Sequence, residues 1–265
     1  MLWTYGSGDR MILNRSLCIA DGRVYFVESR NAAALKAADG RVLLRDFTAR
    51  DAYRTALDLR TGKPVWEKPL GDLVADHTIN QCSKDGVLAM LRSHFDADHV
   101  AHYTLHGFVA TSGDLVWSND FKYSTPGIGT MTNLHNRTLT QPTIVGNTVV
   151  FATTSYQGGR HGLQAFDLKT GKRDDTLKNY DQKKGCAPIA ASAQALFHRG
   201  FQCAAYDLAT KTNLDVSSAT RPSCWISMIP AGGLLLMPEG SHGCDCGQNI
   251  QTSMALAPDH PSVSP

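Results

Sequence analysis

The chain has 265 residues, 42% of them apolar, and 26 Lys and Arg against 24 Asp and Glu, a formal net charge of +2. That balance is too close to neutral for electrostatic nucleic-acid binding, and no apolar run approaches the roughly 20 residues that span a bilayer as a helix. A chain of this length buries a substantial core, and Met1 leads at once into strand-like residues rather than a secretory leader.

The first element is Leu2-Trp3-Thr4-Tyr5, which matches Val116-Trp117-Ser118 further on and reads as the end of an outer strand. Next, Leu17 to Phe26 reads as two strands around an Asp21-Gly22 turn. Residues from about 29 to 54 interrupt the pattern, and Asn31 to Ala38 is expected to form a short helix inside that insertion. A second hairpin follows in Ala56-Leu57-Asp58-Leu59-Arg60-Thr61-Gly62-Lys63-Pro64-Val65-Trp66. Its Asp and Thr side chains suit hydrogen bonds to nearby backbone N–H groups, and its Gly accepts the positive φ that the turn demands. Trp66 is large enough to fill a gap between stacked sheets.

The same alternation then repeats with decay. A hairpin covers Gln81 to Met90, and Gly107-Phe108-Val109-Ala110-Thr111-Ser112-Gly113-Asp114-Leu115-Val116-Trp117 is the second copy of the turn motif. Between them, residues from about 93 to 105 read as a polar insertion with His94, Asp96, Asp98, His99 and His102, followed by His106. Imidazole and carboxylate at short spacing suit a transition metal, but the spacing fits no defined motif, and a solvated loop is the plainer reading. Gly127-Ile128-Gly129 lacks the strand-to-helix setting of a dinucleotide fingerprint. His135 with Asn136 and Arg137, and Arg160 with His161, read as solvated side chains or as the lining of an anion pocket. Pro142 to Phe151 and Ala165 to Lys172 form the third pair of hairpins, with an insertion at 155–161. Ile189 to His198 and Ala205 to Thr210 form the fourth, and Met228 to Leu236 opens the fifth, which ends near Met254 to Ala257.

Two hairpins per repeat make four strands, which is one propeller blade. The predicted fold is therefore an all-β propeller of four-stranded antiparallel blades over residues 1–258. Its blades fall at about 14–70, 78–123, 139–180, 186–215 and 221–258, with a flexible tail at 259–265. The chain opens on a fourth strand and closes on a third. Either the first strand completes the last blade in a five-bladed ring, or the chain is part of a seven- or eight-bladed ring, which is the favoured reading.

Labelling strands A to D outward from the axis, the start of A and the B–C loop share one face, and the A–B and C–D turns share the other. Cys186 and Cys224 fall at the start of A strands, offset by 38 residues, and Cys203 near the start of a C strand. Cys244 and Cys246 fall in a B–C loop beside His242. The leading reading is disulfides across the last two blades, which would imply an oxidising compartment. The alternatives are buried unpaired thiols, or a Zn²⁺ site of Cys186, Cys224, Cys244 and Cys246 with or without His242. Cys244 and Cys246 are too close in sequence to bridge one another. Cys18 and Cys82 occupy equivalent A-strand positions and read as core. Trp225 reads as filling between blades, or as a stacking surface for a planar ligand. The three insertions rise from the cysteine-bearing face, which marks that face for binding.

The Asp-Leu-x-Thr-Gly-x-x-x-Trp repeat resembles the PQQ-like β-propeller repeat. That repeat occurs in quinoprotein alcohol dehydrogenases and in the non-enzymatic propeller lipoprotein of the outer-membrane assembly machinery. More narrowly, Arg221-Pro222-Ser223-Cys224-Trp225-Ile226, Pro230 to Leu234, Pro238-Glu239 and Cys244-Asp245-Cys246 resemble the C-terminal blades of large PQQ-binding-like bacterial proteins typical of planctomycetes. The resemblance implies a periplasmic or extracellular setting, and for the enzymatic members PQQ with Ca²⁺. This sequence departs from them in having no Cys-Cys dipeptide, no cluster of Asp, Glu and Asn suited to Ca²⁺, and no Cys-x-x-Cys-His for haem. The leading expectation is a non-catalytic scaffold that takes a protein or small-molecule partner on its loop-rich face. The alternatives are a portion of a quinone- or metal-dependent oxidoreductase, and a small-molecule or carbohydrate-binding module of a larger enzyme.

Overall fold

The computed structural model describes residues 3–6, 8–36, 41–73, 75, 78–95, 101–123, 141–154, 160–177, 179–180, 182–183, 188–199, 203–217, 220, 222, 227–239 and 252–257. These residues form five antiparallel sheets of the blade type. They divide into two units: residues 1–131 with 147–149 and 166–173, and residues 132–146 with 150–165 and 174–265.

In the first unit, the first sheet contains β1 (Met11–Ile12), β2 (Cys18–Ala20), β3 (Arg23–Ser29), β4 (Ala52–Asp58) and β5 (Pro64–Pro69). Its innermost strand is split. Both β1 and β2 pair with β3, and a 3₁₀ turn at Asn14–Ser16 separates them. The Ser16 hydroxyl accepts from Val27 N–H at 2.8 Å and donates to Leu13 carbonyl oxygen at 2.7 Å, so the ladder is patched where the backbone leaves it. The second sheet runs β6 (Thr78–Lys84), β7 (Val87–Phe95), β8 (Ala101–Val109), β9 (Leu115–Tyr123). Here the sequence reading needs correction. The polar insertion is largely a continuation of the hairpin, with pairing kept through Phe95 and Ala101, so His94, His102 and His106 stand on strands.

The core of this unit lies between the two sheets. Tyr25, Val27 and Trp66 pack with Ile79, Leu88, Met90 and Phe108. Each large apolar side chain taken out of water there contributes about 1.5–3 kcal/mol. A smaller cluster of Val24, Phe26 and Leu57 is covered by Trp3, Tyr5 and Ile12.

The third sheet runs β10 (Thr143–Val145), β11 (Thr148–Thr154), β12 (Arg160–Asp167), β13 (Gln182–Lys183). Its outer strand is reduced to a bridge at Arg173 and the short β13, and Asp175 stands where the motif would place Trp. In the second unit, the fourth sheet runs β14 (Ala190–Ala191), β15 (Ala195–Arg199), β16 (Cys203–Asp207), β17 (Thr212–Ser217). The fifth runs β18 (Ile229–Ala231), β19 (Leu234–Met237), β20 (Met254–Leu256), three strands among the described residues. Val150 and Ala165 pack with Ile189, Leu196 and Tyr206, while Cys203, Met228, Leu235 and Met237 form a separate cluster.

The turn chemistry expected of the repeat is present in three copies. Asp58 Oδ1 accepts from Thr61 N–H and from Thr61 hydroxyl, both at 2.8 Å, and Asp167 and Asp207 do the same with Thr170 and Thr210. These hydrogen bonds hold all three carboxyls below their usual range. The motif Gly sits at φ 68° in the first and third copies, but in the fourth the position is Lys211 at φ 60°. A side chain in that left-handed region is strained by about 1 kcal/mol or more. Lys211→Gly is therefore expected to stabilise the protein by about 1 kcal/mol in urea unfolding, and an unchanged midpoint would count against this account.

Candidate functional site

The B–C connection of the first sheet spans residues 30–51 and carries α1 (Ala32–Leu35) and α2 (Leu44–Thr48). α1 lies within the helix expected at 31–38. The described residues of the connection are anchored to the sheets at several points. Phe47 is buried in the core between the two sheets, and Thr48 hydroxyl reaches the carbonyl oxygens of Leu44 and Ala75, both at 3.0 Å. Asn31 Nδ2 donates to Asp46 carbonyl oxygen at 2.9 Å, and Arg30 N–H closes the base on Asp51 carbonyl oxygen at 2.8 Å. Its outer side presents Leu43, 59% exposed, between exposed Arg41 and Arg45, with Arg50 nearby in sequence. Arg45 pairs with Asp46 only at 3.7 Å in open solvent, an interaction of little net value.

Beneath this surface lies an ion network that the sequence did not suggest. Glu28 on β3 is fully buried. It accepts from Arg30 Nε at 3.1 Å, from Tyr5 hydroxyl at 3.1 Å and from Arg10 at 3.4 Å. Arg30 also pairs with Glu67 on β5 and lies over the Tyr53 ring, 4.4 Å from its centroid. Hydrogen bonds to Glu67 and Glu28 hold the Arg30 guanidinium above its usual range. Burial, followed by the Glu28 charge, pushes Tyr5 up. The network ties the N-terminal segment to the base of the insertion. Arg30 and Glu28 are close in sequence, but Tyr5, Arg10 and Glu67 join them only through the fold, so no local motif announces the network.

A second polar group lies in the seam between the first two sheets. Arg54 packs over Phe108, 3.9 Å from the ring centroid, and donates to Gly113 carbonyl oxygen at 3.2 Å. Burial brings its guanidinium down to about 10. Arg92 Nε donates to His106 Nε2 at 3.1 Å, and His106 Nδ1 meets Ser118 hydroxyl at 3.1 Å. Burial, and next the Arg92 charge, push His106 down to about 4. Because Nε2 accepts from Arg92, the ring proton sits on Nδ1 and points at Ser118. The imidazole has no lone pair directed at the hydroxyl, so this group is not a base-activated serine.

A cavity of about 490 Å³ lies within the second unit. Phe197, Val216, Leu234, Leu235 and Leu256 give it apolar walls, with Ser192 and Gln194 as polar groups.

Of the cysteines singled out from the sequence, Cys203 begins β16 as expected, as a free buried thiol 2.9 Å from the Met228 sulfur. Cys18 and Cys82 are free as well. Burial raises all three thiols, Cys18 to about 11 and Cys203 to about 12, which makes them inert rather than nucleophilic at neutral pH. Trp225, Cys186, Cys224, His242, Cys244 and Cys246 lie outside the described residues, as do Asp96, Asp98, His99, His135, Asn136, Arg137 and Gly127 to Gly129. Among the described residues, no three His, Cys, Asp or Glu side chains gather as ligands. No described helix is long and apolar enough to cross a membrane.

A family model described as outer membrane protein assembly factor BamB matches residues 50–209. Among solved structures, BamB from Moraxella catarrhalis is 17% identical, with 89% of this chain and 57% of that chain covered, at a TM-score of 0.50. The Dos1 propeller is 13% identical over 85% of this chain and 51% of that one, at 0.44. A europium-containing methanol dehydrogenase is 14% identical over 63% and 24%, at 0.32. The chain thus spans 57% of the length of that BamB. At these identities the likeness concerns the fold. No curated protein matches the chain.

Proposed function

Because the chain belongs to the PQQ-repeat propeller family described as outer membrane protein assembly factor BamB, we propose that it is a non-catalytic scaffold that binds another protein through the B–C connection at 30–51. The observation that carries this reading is the contrast within that connection: Phe47 and Thr48 are buried, while Leu43 stands out between two arginines. An apolar side chain held out on an ordered base, flanked by guanidinium groups, suits a protein interface and loses little entropy on binding. The family description favours the cell envelope, on the periplasmic side, as the place where this happens.

A photo-crosslinking residue at position 43 in the producing cell tests the reading, with the exposed Leu115 as control position. A discrete protein adduct at 43, absent at 115 and lost with Arg45→Glu, is the expected result. No adduct at 43, or the same adducts at both positions, would overturn it. A second reading, a module for a small apolar ligand, is favoured only by the cavity beside Phe197 and Leu256.

A further inference from the structure

His94 and His102 are direct cross-strand partners on β7 and β8. Their rings stack, with centroids 4.8 Å apart and planes 17° from parallel. Both residues are half-buried, and the ladder continues one pair beyond them to Phe95 and Ala101. We propose that this pair chelates a divalent transition-metal ion at the B–C end of the second sheet. The inference goes beyond the scaffold reading and does not depend on it.

Three observations carry it. Directly opposed positions on antiparallel strands keep their Cβ atoms about 4.5–5.5 Å apart, so rotation of the stacked rings about their side-chain torsions brings one nitrogen of each onto a common ion without reorganising the backbone. Both strands are nine residues long and paired throughout, which makes the base rigid. Neutral imidazole is a borderline donor that suits Ni²⁺, Cu²⁺ and Zn²⁺ rather than Ca²⁺ or Mg²⁺, which require oxygen. The pair supplies two ligands, and water completes the shell. Lys122 is the register partner of His102 on β9, and the next row on that face holds Arg92 on β7 and Asp120 on β9, so cationic residue types and one carboxylate adjoin the pair. Affinity is accordingly moderate.

Calorimetric titration of untagged protein with Ni²⁺ tests this. A saturable event is expected that either His94→Phe or His102→Phe weakens at least about tenfold. Phenylalanine keeps a stackable ring and removes the nitrogen donors, so a variant that still melts cooperatively reports ligand loss rather than unfolding. Thermal upshift by Ni²⁺ should vanish in the same variants. An isotherm unchanged in both variants would overturn the proposal. Imidazole ¹⁵N NMR of the wild-type protein with Zn²⁺ reads the same point without substitution. Shifts of both His94 and His102 nitrogens support chelation, and shifts of neither or of one alone overturn it.

Discussion

Trp66→Ala is expected to destabilise the first unit by about 4 kcal/mol, within the range for truncating a buried Trp. The indole is 9% exposed and sits in the core between the first two sheets, with Tyr25 at 6.2 Å between ring centroids. Its Nε1 donates to Ala110 carbonyl oxygen at 2.9 Å, and the truncation leaves that oxygen unpaired. The ring also lies on Gly113, where an added Cβ would come within 2.9 Å of it. Gly113→Ala is therefore costly twice, through this contact and through φ 73°. In the Trp66→Ala background the contact is gone and only the backbone cost, about 1 kcal/mol, remains, so the two substitutions should couple. Urea unfolding of the four proteins measures this. A loss below about 1 kcal/mol for Trp66→Ala, or strict additivity, would show that the indole does not hold the seam.

Acid should unfold the protein partly through His106. The folded ring titrates at about 4, pushed down mainly by burial, whereas an unfolded histidine titrates near 6.5. Above about pH 6.5 both states are neutral and the group contributes nothing to the pH dependence. Between about 6.5 and 4 the unfolded chain takes up a proton that the folded ring refuses, and stability falls by about 3 kcal/mol in total. Below about 4 both states are protonated and the loss is complete. His106→Gln keeps an acceptor for Arg92 and a donor for Ser118 while removing the titration. Comparing unfolding free energies at pH 7.5 and 4.5, the wild type should lose about 2.5 kcal/mol more than this variant. Equal losses would mean that the ring is protonated in the fold.

What the sequence made legible was local. Asp58, Thr61 and Gly62 sit within five residues, and their turn follows from short-range hydrogen bonding alone. The role of Trp66 and Trp117 between sheets was also readable, because nothing else in a strand of that pattern needs so large a side chain. Even the outlying Trp3 was recognised by its likeness to Trp117. The fourth copy shows where decay misleads. In the first two sheets a bulge sets Trp66 opposite Ala56 and Trp117 opposite Gly107. In the fourth the irregularity lies further along, and Leu214, 47% exposed, faces Ala205 instead. The buried Glu28 network escaped because Tyr5, Arg10 and Glu67 lie 18 or more residues from Glu28 in sequence and join it and Arg30 only in the folded chain. The His94–His102 contact was within reach. Pairing Val87 with Val109 commits the hairpin to a register that sets 94 against 102. The run of polar residues between them concealed it by reading as a loop.

The three indoles among the described residues point the same way along the chain. Trp3 donates to Leu59, Trp66 to Ala110 and Trp117 to Leu168, each from an earlier segment to the turn of a later one, and each ring rests on that turn's glycine. During synthesis, then, a finished hairpin leaves the ribosome with its largest apolar group still wet, and it stays so until the following turn has emerged. Maturation of this stretch is thereby paced from behind: each new turn completes the segment made before it, and a pause in translation just ahead of one of these glycines would prolong the exposure of a tryptophan.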